Sequence, residues 1–251
     1  MRPVHGSMIV RNVFMDTARE ERRERLFWKT AAIIVGLLLI IIAGVLLDVA
    51  HAEPQAALRY RADTIRTTRA VWGMSGPVAV FAGQIQQESG WNPAAHSSVA
   101  DGLAEFTPST ATWISGAYHL GSAEPYNPAW ALRALVTYDK DLWDKVTGYP
   151  PPAATGCDHM AFTLSAYNGG IGWIPRDRRT ASQFGIANTG VWFDAVELFS
   201  SRSATAFKEN RGYPRRILLT LQGAYSSWGP KVECSVAVTQ EHVAWLQLSR
   251  S

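Results

Sequence analysis

Three times in this chain a turn or capping residue stands directly before a proline, and each time apolar residues then recur at helical spacing. The pairs are Gly76-Pro77, Thr107-Pro108 and Asn127-Pro128. A proline at the first helical position has the right φ already and lacks an N–H that would be orphaned there. Thr and Asn before it accept from first-turn amides. After Gly76-Pro77, Phe81, Ile85 and Glu88 follow at i, i+4 and i+7 and share one face. Ala111, Trp113 and Ile114 follow Thr107-Pro108. After Asn127-Pro128, Ala131, Leu135, Tyr138, Leu142 and Val146 form one stripe, with Asp139, Lys140, Asp141 and Lys145 off it. A further helix is predicted from a cap at Asp158 through Phe162 and Leu164 to Tyr167, stopped by Gly169-Gly170. Two more are predicted over Val191–Phe199 and from about Tyr213 to Tyr225. Alternating strand patterns are few, and no internal repeat or low-complexity tract appears, so the fold class is mainly α.

The N-terminal part has another character. From Ala31 to Leu47 the chain carries no charge, between Lys29 and Asp48. That length is at the short limit for a membrane span and just above a usual signal-peptide core. Ala50-His51-Ala52 behind it has the small-residue pattern that signal peptidase cuts, before Glu53. A basic flank predicts an N-terminus kept inside and the rest exported to the periplasm or cell envelope. Cleaved signal and retained inner-membrane anchor both fit. The resulting organisation is a basic segment 1–30, a signal or anchor helix 31–52, a polar connector 53–75, a catalytic domain 76–228 and a tail 229–251.

Charge narrows the partners. Residues 1–30 hold seven basic and four acidic side chains, which accounts for the whole formal charge of +3. The remainder is neutral, so a nucleic-acid-binding body gains no support. Cys157 and Cys234 both fall in the exported part, where an oxidising compartment permits pairing, and their spacing fits no zinc site. Ten Trp residues suit a core, or a cleft with flat faces for sugars.

Glu88 is the most informative residue. A carboxylate at the end of a helix, on its apolar face, is either a paired core acid or a functional group. Desolvation there raises its pKa, which a general acid needs near neutral pH. Around it stands Glu88-Ser89-Gly90-Trp91-Asn92-Pro93, then Gly102-Leu103-Ala104-Glu105-Phe106-Thr107-Pro108-Ser109-Thr110-Ala111. Ala166-Tyr167-Asn168-Gly169-Gly170 comes next, and finally Glu209-Asn210-Arg211-Gly212-Tyr213-Pro214-Arg215-Arg216-Ile217. These blocks, in this order, resemble the soluble lytic transglycosylase (SLT) family, a branch of the lysozyme-like superfamily related to goose-type lysozyme. The family pattern is E-S-x-aromatic-N/D-P, then G-L-x-Q-x-x-P-x-T-A, then A-Y-N-A-G, then E-T-x-x-Y-V-x-R-I.

The resemblance implies a mostly helical lysozyme-like fold with a glycan cleft, acting on peptidoglycan strands without a cofactor or metal. Glu88 matches the single catalytic carboxylate. It would protonate the bridging oxygen between N-acetylmuramic acid and N-acetylglucosamine, then take the proton of the muramic C6 hydroxyl as that closes a 1,6-anhydro ring. No second carboxylate is required, because the substrate's N-acetyl group stabilises the developing charge. Tyr167 matches a cleft tyrosine that donates near the scissile sugar or positions Glu88. Asn168 matches a turn residue, with Gly169 and Gly170 relieving the backbone. Ser89 holds the loop after the catalytic helix, and Ser97 lines up with a cleft serine. Glu209 and Tyr213 match the last block, where the acid is commonly a buried partner that steadies the cleft; Arg215 or Arg216 would be surface.

Three positions depart from the pattern. Glu105 replaces a substrate-binding glutamine and donates no hydrogen bond while ionised. Pro214 replaces valine, which fits only a first helical turn. Gly170 follows Gly169 where the family has Ala-Gly. A hydrolytic muramidase and a non-catalytic glycan-binding module remain as alternatives. The implied partners are glycan strands, a membrane through an uncleaved N-terminal segment, and envelope-spanning secretion or conjugation machinery.

Overall fold

The computed structural model describes residues 53–235, together with 28–29 and 35–36. Two compact units are distinguished, Met1–Ala52 and Glu53–Ser251. In the first, the four described residues have helical backbone. Most of the apolar run, the Ala50-His51-Ala52 site and everything beyond residue 235 lie outside the described residues. Among the described residues no helix is long and apolar enough to cross a membrane.

The second unit is built from helices, with only isolated bridges among His96, Asp101 and Phe106 in place of strands in its described residues. In chain order these are α1 (Gln55–Leu58), α2 (Arg61–Trp72), α3 (Val78–Ser89), α4 (Pro108–Ala117), α5 (Pro128–Thr147), α6 (Gly156–Gly169), α7 (Trp173–Gln183), α8 (Ala204–Arg216) and α9 (Gln222–Ala224). A single 3-10 turn covers Val196–Leu198, and a π-helical stretch, Ile217–Leu221, joins α8 to α9. Two of the three proline-led starts behave as predicted, whereas Pro77 stands one position earlier, as the N-cap of α3. Thr107 accepts from the Thr110 amide at 3.1 Å and Asn127 from Ala129 at 3.1 Å.

Helix α3 is the centre of the fold. Every residue from Val78 to Ile85 is buried, and all but Gln84 are apolar or glycine. Small residues make this possible. At Gly83 a Cβ would press against the backbone of Leu221 and Gln222, so the π stretch and α9 pack close on α3. One core cluster gathers Phe81, Ile85, Trp91, Leu103, Leu135 and Trp228; a second gathers Val80, Leu142, Phe162, Trp192 and Ile217. Each such aliphatic or aromatic side chain contributes about 1.5–3 kcal/mol by leaving water. Only at its last turn, from Gln86 to Ser89, does α3 emerge into partial exposure. Glu88 sits there because the core ends there.

Several expectations from the sequence change. The Val191–Phe199 helix is mostly loop: Asp158 takes the Trp192 amide at 2.8 Å, Glu197 takes the Asp194 amide at 2.7 Å, and Asp194 has φ +55°. Asp158 therefore braces that loop, and Thr155 is the cap of α6, accepting from the Asp158 amide at 3.1 Å. Pro214 lies in the last turn of α8, not in a first turn. Its missing N–H costs one helical bond, and the chain widens into π geometry directly after it. Helix α7 was not foreseen, and the connector 53–75 holds two helices, with Trp72 donating to the Val136 carbonyl at 2.8 Å. Cys157 and Cys234 are joined by a disulfide that ties the chain after α9 to α6.

Candidate active site

The turn after α3 is built to hold Glu88 still. Gly90 caps the helix in the left-handed region at φ +60°. Trp91 follows at φ +69°, fully buried against Tyr60, Tyr225 and Trp228. Its indole N–H donates to the Tyr225 hydroxyl at 2.6 Å, and that hydroxyl donates to Gln86 on α3 at 2.7 Å. Ser89 donates to the Leu103 carbonyl at 2.8 Å, which pins the next loop to the helix end. Ser97 accepts from the Ala100 amide at 3.0 Å and staples that loop internally. Gly102, at φ +75°, has no room for a Cβ against the Pro125 carbonyl. This fixes where Glu105 begins.

Glu88 is partly buried, and its carboxyl accepts a short hydrogen bond from the Tyr213 hydroxyl on α8. Burial raises its pKa from 4.5 to about 8; the Tyr213 bond opposes that rise, and the charges of Glu105, Asp139 and Glu209 add to it. Among the described residues, the groups that face Glu88 are thus acids and phenols. A proton stays on Glu88 at neutral pH, which is the state of a general acid.

Burial also raises the Glu105 carboxyl. Tyr167 does not bond Glu88. It donates to the Ala104 carbonyl at 3.0 Å and stacks on Tyr213, with ring centroids 6.3 Å apart and planes within 7°. The two tyrosines thus divide the work: Tyr213 meets the acid, and Tyr167 backs it and holds the Glu105 loop.

Asn168 and Glu209 lie at the rim. Asn168 accepts from Asn210 at 3.0 Å and donates to Glu209 at 3.3 Å. Glu209 is exposed rather than buried, because Asn210, one residue on, takes the inward position and bonds Ser165. Asn168, Gly169, Trp173, Arg202 and Glu209 line a pocket of about 320 Å³. A Cβ at Gly169 would meet the Arg202 guanidinium and the Asn210 amide, so both lie close over the backbone here. Arg216 is at the surface, but Arg215 is largely buried and pairs with Glu197 at 2.5 Å.

Sequence reasoning missed two side chains behind Glu88. Gln84, one helical turn earlier on α3, and Asp139 on α5 are fully buried. Asp139 stands in the heptad-like series Leu132, Leu135, Asp139, Leu142, Val146. A stripe through the adjacent aromatic Tyr138 fits the same helical spacing, so periodicity alone does not single out Asp139.

Residues 71–189 match the family described as Transglycosylase SLT domain. Membrane-bound lytic murein transglycosylase F of Maricaulis maris is 32% identical over 120 residues, covering 47% of this chain and 24% of that protein. The chain thus spans about a quarter of that relative. The 70-kDa soluble lytic transglycosylase of Escherichia coli superposes with a TM-score of 0.45 at 21% identity, covering 66% of this chain and 24% of that one. The 70-kDa soluble lytic transglycosylase in complex with bulgecin A gives 0.49 at 24% identity, with 77% and 28% covered. The SLT match takes in Glu88, Ser89, Ser97, Glu105, Tyr167 and Asn168. Tyr213 and Glu209 come from beyond it, so the hydroxyl on Glu88 is supplied by a segment outside the matched stretch.

Proposed function

We propose that this chain is a peptidoglycan lytic transglycosylase in which Glu88 alone serves as acid and then base. The observation that carries the reading is a carboxyl at the emergent end of a buried helix, held by Tyr213 and kept protonated up to about 8. In the first step Glu88 gives its proton to the oxygen bridging N-acetylmuramic acid and N-acetylglucosamine, and the C1–O bond breaks. The substrate's acetamido group stabilises the positive charge at C1. Glu88, now ionised, takes the proton of the muramic C6 hydroxyl. That oxygen attacks C1 and closes the 1,6-anhydro ring, and Glu88 is returned to its starting state. Tyr213 donates to the carboxylate in the intermediate state, where a charge-assisted bond is strongest. The SLT match and the murein transglycosylase name of the relative support the substrate class.

A second reading, hydrolysis, draws on Glu105. Its carboxyl is near enough to raise the Glu88 pKa and could hold a water for attack at C1. Both readings place the enzyme in the envelope, opening the wall locally for a secretion or conjugation machine or for a phage. The apolar segment 31–47 and the membrane-bound relative support that placement.

Digestion of purified peptidoglycan with mass analysis of the fragment ends decides. Anhydro ends, lighter by one water, are expected, and Glu88→Gln should cut turnover by about 10²–10⁴-fold. A folded wild-type protein that leaves sacculi intact, or a Glu88→Gln variant that cuts them equally well, overturns the proposal. Ends carrying the extra water replace it with the hydrolytic reading.

A further inference from the structure

Behind the candidate acid lies a buried carboxyl that the proposed reaction does not use. Asp139 is completely enclosed on α5, and the group it faces is the amide of Gln84, also completely enclosed. No hydrogen bond of ordinary geometry reaches either Asp139 oxygen or either end of the Gln84 amide. Gln84 precedes Glu88 by four residues, so both project along the same side of α3, about 6 Å apart along the axis. From the residue before Asp139 in the chain, a series of rings leads to Glu88. That residue, Tyr138, packs on Tyr167 at 5.5 Å between centroids, Tyr167 stacks on Tyr213, and Tyr213 bonds Glu88.

An isolated buried carboxylate is costly, and an apolar residue would fill such a place more cheaply unless the acid acts on something. We propose that Asp139, facing Gln84, is a positioning residue that keeps the proton on Glu88: the two carboxyls titrate as one coupled pair, and the charge of the first to ionise holds the proton on the second. This rests on the reading of Glu88 as the proton donor.

The surroundings fit. Glu88 is faced by Tyr213 and Glu209 from α8, Tyr167 from α6, Asp139 from α5 and Glu105 from the loop before α4. Asp139 is faced by Tyr138 on its own helix, Tyr167, Tyr213 and Glu88. None of these is a cation that would neutralise Asp139. Burial holds its carboxyl well above the usual carboxylate range.

The test is a carbon-13 NMR titration of the assigned Asp and Glu side-chain carboxyls in the full chain, run beside the pH profile of peptidoglycan cleavage. In the wild type, both the Glu88 and Asp139 resonances should register the same two midpoints, as coupled sites do. In Asp139→Asn, the Glu88 midpoint should fall by about one pH unit, and the alkaline limb of cleavage should move with it. Should the amide variant not fold, Asp139→Leu, which needs no hydrogen-bond partner, is titrated in its place. Independent single-step titrations in the wild type overturn the proposal, as does an unmoved Glu88 midpoint in a folded variant. Coupling in a protein that cuts no sacculi would instead overturn the catalytic reading and leave the pair standing.

Discussion

Asp177 and Asp139 are equally shut off from solvent, yet their surroundings are opposite. Asp177, on α7, accepts from Ser200 at 2.6 Å, from Arg211 at 2.8 Å and from Arg202 at 3.4 Å. Arg211 in turn spends its other donors on Asn210 and on the carbonyls of Glu197 and Phe199, all within 2.9 Å. Asp139 has Gln84 before it and no cation, and Glu88 just beyond. The Asp177 network sets its carboxylate against two guanidinium groups and ties α7, α8 and the 3-10 turn together. The Asp139 region leaves its charge uncompensated beside the group whose proton matters. If Glu88 is the proton donor proposed here, the buried acid paired with cations belongs to the scaffold and the one without them to the chemistry.

The largest expected effect breaks the scaffold side. Asp177→Ala leaves two enclosed guanidinium groups without their counter-charge, and such losses run to about 3–5 kcal/mol. Asp139→Leu removes an acid that has no cation to strand, so its unfolding free energy should stay within about 1.5 kcal/mol of wild type or rise. Urea denaturation of both variants checks this. Equal losses in the two would erase the distinction between the regions.

A smaller effect comes from Glu88 itself. In the unfolded chain its proton leaves near 4.5, and in the folded protein near 8. Between those values the native state binds more protons than the unfolded one, so stability falls as pH rises through that window. Glu88→Gln has no such loss. Its stability relative to wild type should be near zero below the window and grow across neutral pH. It should level off above the window at a gain of about 2–4 kcal/mol. Denaturation at acid, neutral and mildly alkaline pH measures it, and a difference that does not change with pH would show that the native carboxyl is not held protonated.

Much of this was legible in the chain. Helix starts at Thr107 and Asn127 were readable because their capping is local, within three residues. Periodicity placed Glu88 on an apolar face at a helix end, and its proposed role came only from the family resemblance of the blocks around it. What failed was non-local. Nothing near Asp158 says that its carboxylate will take the Trp192 amide, 34 residues on, and so no local rule explains why a helix is lost there. Tyr213 and Tyr167 were both named, but which of them bonds Glu88 depends on how α6 and α8 pack, which spacing does not encode. Asp139 is the instructive case. Its place in the series Leu132 to Val146 is regular, but a stripe through Tyr138 fits the same spacing and puts Asp139 off it; acids are seldom enclosed. The exceptions to that rule are the residues worth naming first.

The smallest expected effect sharpens the comparison from the other side of Glu88. Tyr213 donates to the carboxyl and so favours its charged form, opposing the burial and the acids around it. Tyr213→Phe keeps the ring, its stacking on Tyr167 and its place in the core, and removes only the donated bond. The Glu88 pKa should then rise further, and the alkaline limb of the cleavage profile should move to higher pH by less than about one unit, roughly the value of one hydrogen bond. The plateau rate should fall as well, because the carboxylate of the intermediate state loses its donor. Asp139→Asn is expected to move the same limb the opposite way. Substitutions on the two sides of one carboxyl that shift it in opposite directions have no common explanation in lost packing. A Tyr213→Phe limb that stayed put or moved to lower pH would mean that the hydroxyl is held by Glu88 for structure, and that the proton on Glu88 is governed from behind alone.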